Sequence, residues 1–172
     1  DSREYHDNME FAQTIIKDCA GLPLALAMAA SYLRRDPNGW KSLSGRIRND
    51  ITAEGKTMFK ISQHDGLYSV FQTSIEWLGR EVQLPQNCSL SWADLYTSLC
   101  VTDPSSQGLP LCVLPLMWRM CPDYVQEVCQ IFVGLSLATL SAGDMENRVV
   151  KLHDLQLQYC TVQCNLAGSP CH

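Results

Sequence analysis

The chain has 172 residues, a formal net charge of −5, 46% apolar residues and 18% charged residues. That is enough chain for a real core, in one domain or two small ones, and its acidic balance argues against a nucleic acid or an anionic membrane surface as the main partner. No apolar run is long enough to span a bilayer, and the absence of low-complexity segments and like-charge blocks excludes disorder as the default.

The chain opens Asp1-Ser2-Arg3-Glu4, with no initiator methionine and no signal-peptide pattern, so it reads as a piece of a longer protein. Met9 to Ala20 has helical spacing: Phe11, Ile15 and Cys19 fall four apart, with Ala12 and Ile16 beside them. Gly21 follows, where a helix is expected to end in a left-handed residue. Pro23 suits the first turn of a second helix, because its missing N–H would have no partner there anyway. That helix runs from Leu24 to Arg35, with Ala25, Ala27, Ala29 and Ala30 allowing close approach and Arg34 and Arg35 favourable at its C-terminus. Asp36-Pro37-Asn38-Gly39 is a turn, and Trp40, Leu43 and Ile47 mark one face of a third short helix. Residues 1–50 therefore form a small helical bundle.

Residues 51–66 are polar and weakly patterned and read as a linker. Helical spacing resumes from Leu67 to Leu78, with Val70, Phe71, Ser74 and Ile75 on the same side. Gly79 to Leu90 reads as a loop, and Ser91 is placed to cap a helix carrying Trp92, Leu95, Tyr96 and Leu99. Asp103 to Gly108 is a second loop. Leu111 to Met120 is apolar, with Pro115 inside it expected to bend or shorten the helix. Pro122 and Asp123 start another helix with Val125, Val128, Cys129 and Phe132 inward. Leu135 to Leu140 alternates as a strand does, Ser141 to Asn147 is a polar turn, and Val149 to Leu152 is the return strand. The fold class expected is mainly α: a small helical bundle, then a winged-helix domain over 67–165 with a short β-hairpin. Residues 166–172 form an unassigned tail.

His153 and Asp154 follow the return strand and open the last helix, which begins Leu155-Gln156-Leu157. A helix N-terminus carries unpaired N–H groups and the positive end of the macrodipole, so a histidine there can add a donor aimed at an anion such as a phosphate. On these residues alone the simpler alternative is the favoured one: Asp154 favours the helix start and His153 is a junction residue with no ligand.

The nine cysteines are odd in number and contain no Cys-x-x-Cys pair. Most lie among apolar residues, where a thiol behaves as a small hydrophobe, which fits a reducing, cytoplasmic setting. Cys160, Cys164, Cys171 and His172 match no common zinc spacing, so no metal is expected.

Taken together, several stretches resemble the NB-ARC module of the STAND class of nucleotide switches. They are Ile15 to Leu26 with its Gly-Leu-Pro-Leu-Ala, then Leu33-Arg34 and Trp40, and Tyr96 to Val101. Leu109-Pro110, Val113-Leu114, Leu116-Met117-Trp118, Phe132-Val133, Leu135 to Ala138 and Leu152-His153-Asp154-Leu155-Gln156 complete the set. The likeness covers residues 9–164 and is closer to the apoptotic protease-activating branch than to the plant immune receptors, which usually have methionine where Leu152 stands. The resemblance implies a nucleotide-binding set of Gly21, Leu22, Pro23 and His153, supported by Leu152 and Asp154. It implies that Pro23 packs on the adenine of ADP or ATP and that His153 hydrogen-bonds the ADP β-phosphate, holding a closed, inactive state. It also implies an upstream nucleotide-binding domain in the same protein, possible downstream repeats, and oligomerisation on activation.

The chain has no Gly-x-x-x-x-Gly-Lys-Ser/Thr loop and no apolar strand ending in paired acidic residues for magnesium. By itself it is therefore expected neither to bind Mg nor to act as an enzyme, although the parent protein would be a slow ATPase. Two other functions fit less of the pattern. A DNA-binding winged helix needs a basic recognition helix, and Asp123 to Phe132 contains Asp123 and Glu127 but no Lys or Arg. A ligand-free protein-interaction module leaves unexplained why the two motifs occur together.

Overall fold

The computed structural model describes residues 2–52, 65–85, 88–101, 108–144 and 146–166. The chain divides into two compact units, Asp1–Ser74 and Ile75–His172. Among the described residues the architecture is mainly α with a short antiparallel hairpin, as the sequence predicts. Most of the linker at 51–66, the loop at 103–107 and the tail beyond 166 lie outside the described residues.

In the first unit, α1 (Ser2–Asp18) packs chiefly on α3 (Trp40–Thr52) and also touches α2 (Pro23–Arg35). Helix α2 buries Ala25, Met28, Ala29, Tyr32 and Leu33, a stripe recurring every three or four residues as one helix face requires. Leu43 and Ile47 on α3, and Ile15 and Cys19 at the end of α1, are buried too. The Tyr32 hydroxyl donates to Asp36 Oδ2 at 3.2 Å, just beyond the helix end. Helix α4 (Asp65–Glu81) starts in this unit, where Leu67, Val70 and Phe71 are fully buried. It is longer at both ends than the predicted Leu67–Leu78.

In the second unit, Ser91 caps α5 (Trp92–Thr97): its Oγ accepts from the Asp94 N–H, and Asp94 Oδ2 accepts from the Ser91 N–H. This is a reciprocal capping box. A 3₁₀ turn, Ser98–Val101, continues from α5. Strand β1 (Leu109–Pro110) and a second 3₁₀ turn, Leu111–Val113, precede α6 (Leu114–Trp118). Pro115 falls in the first turn of α6, so it starts this helix, where the sequence reading had it interrupting one. Helix α7 (Pro122–Gly134) buries Val125, Val128, Cys129 and Phe132, the residues predicted to face inward. Strands β2 (Thr139–Leu140) and β3 (Val149–Lys151) and helix α8 (Asp154–Leu166) complete the unit.

The sheet order is β1-β3-β2, with both pairings antiparallel and Val150 opposite both Leu109 and Leu140. Strand β1 is absent from the sequence reading because it is only two residues long. Pro110 is tolerated there because β1 is an edge strand, which can spare one N–H. The strand predicted over Leu135–Leu140 is present only at Thr139–Leu140. Leu135 to Leu137 instead close α7: the Ser136 N–H donates to the Val133 carbonyl and the Leu137 N–H to the Phe132 carbonyl, both at 2.9 Å, with Ser136 at φ +57°. This Schellman turn buries Leu135 and Leu137 completely. Two buried leucines on either side of an outward serine produce the same alternation as a strand.

Aromatic rings form the centre of the second unit. Phe132 meets Trp92 edge-on at 5.7 Å and Tyr96 at 5.3 Å, separations at which aromatic pairs add to area burial. Their polar atoms are satisfied at the margin: Trp92 Nε1 donates to the Val82 carbonyl at 2.8 Å and the Tyr96 hydroxyl to the Leu137 carbonyl at 3.0 Å.

Burial also sets an alkaline limit on stability. It disfavours the thiolate, pushing Cys129 up to about 12, and together with the neighbouring Asp18 carboxylate it pushes Cys19 up to about 11. In the unfolded chain both titrate near 9. Above that pH the folded state therefore holds more protons than the unfolded one. The contribution is full below pH 9 and is lost as pH rises through 9 toward 12. Urea-unfolding midpoints are expected to fall across this window, and to fall less steeply in Cys129→Ala. Identical slopes for the two proteins would contradict this.

Candidate functional site: two helix junctions

The Gly21–Pro23 junction is built by the end of α1. The Ala20 N–H donates to the Lys17 carbonyl at 2.9 Å and the Gly21 N–H to the Ile16 carbonyl at 3.0 Å. Ala20 (φ +52°) and Gly21 (φ +68°) are both left-handed. The turn expected at Gly21 thus begins one residue earlier, on an alanine that accepts a conformation glycine would adopt at less cost. Gly21 then carries the chain out of the turn, and at its φ any side chain would be strained. Leu22 is extended (φ −61°, ψ 118°), as a residue before proline must be, and its carbonyl accepts the Leu26 N–H at 3.0 Å. Pro23 occupies the first turn of α2 with its ring exposed, while Leu22 is half-buried.

The His153 junction is tighter. Residues Val149–Lys151 form the central strand of the sheet, so the chain arrives at His153 from a fixed direction. Leu152 is half-buried, and His153 and Asp154 are exposed. The His153 Nδ1 accepts the Leu155 N–H at 3.3 Å, and the His153 carbonyl accepts from Gln156 and Leu157 at 2.8 and 2.9 Å. His153 is therefore the N-cap of α8, with its imidazole doing what a serine or aspartate side chain does elsewhere. An acceptor at Nδ1 puts the hydrogen of the neutral ring on Nε2.

Gln156 holds the junction from inside. It is 2% exposed. Its Oε1 accepts the His153 N–H at 2.8 Å, and its Nε2 donates to the Ser136 carbonyl at 2.8 Å. One buried amide thus ties the start of α8 to the turn that ends α7. Tyr96 holds the next carbonyl of that turn, that of Leu137. The sequence reading named Asp154 as the residue favouring the helix start and missed Gln156. The available signal was the spacing His153-x-x-Gln156, which is that of a capping box with histidine in the cap position.

Gly21, Leu22 and Pro23 lie in the first unit, and Leu152, His153 and Asp154 in the second. Within the second, the fold brings His153, Gln156 and Ser136 together. An open cleft in the first unit is lined by Lys41, Arg46, Asn49 and Asp50 of α3 and includes none of the predicted residues. Of the suggested metal set, Cys160 and Cys164 sit one turn apart on α8, while Cys171 and His172 lie outside the described residues. Among the described residues no three His, Cys, Asp or Glu side chains are grouped to hold a metal, and no helix is long and apolar enough to cross a membrane.

The chain is 29% identical over 157 residues to apoptotic protease-activating factor 1 of Homo sapiens, an alignment that takes in 90% of this chain and 11% of that protein. Over nine-tenths of its length this chain is therefore similar to one segment of the apoptotic protease-activating factors. The factor of Rattus norvegicus is 28% identical over 152 residues, 87% of this chain and 11% of that protein. The factor of Danio rerio is 29% identical over 160 residues, 92% and 12%. The chain thus spans about a ninth of the length of these relatives. No family model matches it.

Proposed function

We propose that this chain is the regulatory part of an ADP/ATP-dependent signalling switch of the NB-ARC kind, a helical domain over 1–50 followed by a winged-helix domain over 67–165, in signalling of the apoptosis type. The observation that carries this reading is the state of His153. Its Nδ1 is committed to capping α8, which leaves the Nε2–H as the ring's remaining donor on an exposed side chain. That is the chemistry a phosphate oxygen needs, beside a helix N-terminus whose dipole favours an anion. On the other motif, the exposed Pro23 ring offers a flat apolar surface suited to an adenine face. Both residues fit the nucleotide, ADP in the closed state. The nucleotide supplies an anionic group and a base that two domains can share.

In this reading His153 orients one hydrogen toward the β-phosphate, Gln156 fixes the backbone from which His153 projects, and Pro23 packs on the base. A ligand that touches two domains stabilises the state in which both touch it, by its differential affinity for that state. The phosphate loop and magnesium site belong to an upstream domain of the same protein. Repeats downstream and oligomerisation on opening complete the switch, in the cytoplasm. The similarity to proteins named as activators of an apoptotic protease supports this reading.

The test is ADP retention by the full-length protein carrying this segment, after desalting. His153→Ala is expected to lower retention about tenfold or more, the loss of one hydrogen bond to a charged group. Gln156→Leu is expected to lower it in the same direction, because the His153 N–H loses its acceptor. Unchanged ADP content in both would overturn the reading. It would leave a ligand-free interaction module, which the exposed apolar side chains Leu116 (82% exposed), Tyr124 and Val133 favour. The acidic α7, with Asp123 and Glu127 and no basic residue, gives DNA binding no support.

A further inference from the structure

We infer that Cys100 and Cys164 form a redox pair, a site where an oxidant of the peroxide class closes a reversible disulfide between the 3₁₀ turn after α5 and the C-terminal part of α8. Their sulfurs are 3.3 Å apart although the residues are 64 positions apart in sequence. A disulfide requires about 2.0 Å, so the sulfurs must close by about 1.3 Å. Both residues belong to the second unit, in which α8 packs directly on this turn. Cys164 is half-buried and gives the oxidant access, whereas Cys100 lies behind it at 8% exposure. Cys164 also points its sulfur at the Thr97 carbonyl, 3.5 Å away, which fixes it at the end of α5.

The other thiols of the unit are placed differently. Cys160, one turn earlier on α8, is fully buried with its sulfur 3.6 Å from the Tyr96 carbonyl. Cys129 is buried on α7, and its raised pKa leaves little thiolate to react. Cys112 and Cys121 are exposed.

The chemistry balances with hydrogen peroxide as the co-reactant. The Cys164 thiolate attacks one peroxide oxygen, the O–O bond breaks, and the departing hydroxide leaves as water, giving a sulfenic acid. The Cys100 thiolate then attacks the Cys164 sulfur and displaces the second oxygen as water. Overall two thiols lose two protons and two electrons, and one peroxide becomes two waters. The new bond closes a loop containing α7, the hairpin and His153, and pins the end of the helix that His153 caps.

The test uses this 172-residue chain, treated with hydrogen peroxide, alkylated, and digested without reductant for peptide mass spectrometry. A Cys100–Cys164 linked peptide is expected, absent after dithiothreitol. Either Cys100→Ser or Cys164→Ser should abolish it, and Cys160→Ser should not. Amide exchange over Leu157–Cys164 should slow several-fold on oxidation. Irreversible oxidation of Cys164 without a link would overturn the proposal. So would links from Cys164 to Cys160, Cys112 or Cys121 in place of Cys100, or a Cys100–Cys164 link formed equally well in the urea-unfolded chain.

Discussion

Replacing Phe132 with alanine is expected to cost the second unit about 3–5 kcal/mol, toward the upper end of that range. The cost of a large-to-small change depends on how far the surroundings can collapse into the space. Phe132 is completely buried between Trp92 and Tyr96. Neither neighbour is at liberty to follow: the Trp92 indole is tied to the Val82 carbonyl and the Tyr96 hydroxyl to the Leu137 carbonyl. Moving the Trp92 ring into the cavity would break its bond to Val82, and moving the Tyr96 ring would leave the buried Leu137 carbonyl without that donor. The cavity therefore stays open, and its lining loses contacts outright. Urea unfolding followed by circular dichroism measures the loss, and amide exchange over Trp92–Thr97 and Pro122–Gly134 locates it. The control is Val133→Ala on the same helix, a residue 38% exposed, for which the change should stay within about 0.5 kcal/mol. A loss below about 1 kcal/mol for Phe132→Ala would show that the ring cluster collapses after all.

Gly66→Ala and Gly79→Ala should move stability in opposite directions, although both glycines lie in α4. An alanine in place of glycine inside a helix ordinarily stabilises by about 0.5–1 kcal/mol, because the unfolded chain has less freedom to lose. At Gly79 nothing lies within 4 Å of the added carbon, so that gain should appear in full. At Gly66 the added carbon would collide with the Asp18 carbonyl oxygen and sit 3.1 Å from its carbon. These are backbone atoms at the end of α1 and cannot rotate aside. Accommodating the methyl means displacing α4 from α1, an overpacking cost of about 1–3 kcal/mol that outweighs the gain. Thermal unfolding of the two variants is the measurement. A stabilised Gly66→Ala would mean that the close approach of α1 and α4 is not maintained in solution.

The residues of α7 declared their buried face in advance, because a helix repeats every 3.6 residues and Val125, Val128, Cys129 and Phe132 repeat with it. On α2 the four alanines expected to allow close approach divide, Ala25 and Ala29 being buried and Ala27 and Ala30 exposed, because the helix buries the face that also carries Met28 and Tyr32. Pro23 and Ser91 likewise announced helix starts, since their fitness for those positions is local. The sequence was misleading where one local pattern serves two conformations. Leu135 and Leu137 alternate with Ser136 as in a strand, yet the left-handed Ser136 and the α7 carbonyls it helps to satisfy make a turn. Strand β1 left no signal, since two residues carry no period and only pairing with Val149 and Val150 defines it.

At the candidate site the division is the same. The sequence by itself determined which residues stand at the two junctions, the Gly-Leu-Pro start of α2 and the Leu-His-Asp start of α8, because capping and proline preferences act over a few neighbouring residues. The cap itself is local too, since His153 Nδ1 takes the Leu155 N–H and Gln156 takes the His153 N–H. Only the tertiary structure decided that Gln156 is in turn held by the Ser136 carbonyl, 20 residues away. The same holds for Cys100 and Cys164, 64 residues apart with their sulfurs 3.3 Å apart. Such pairings arise from how α8 lies on the turns that end α5 and α7, which is settled by the packing of the whole unit and by no local preference of the chain.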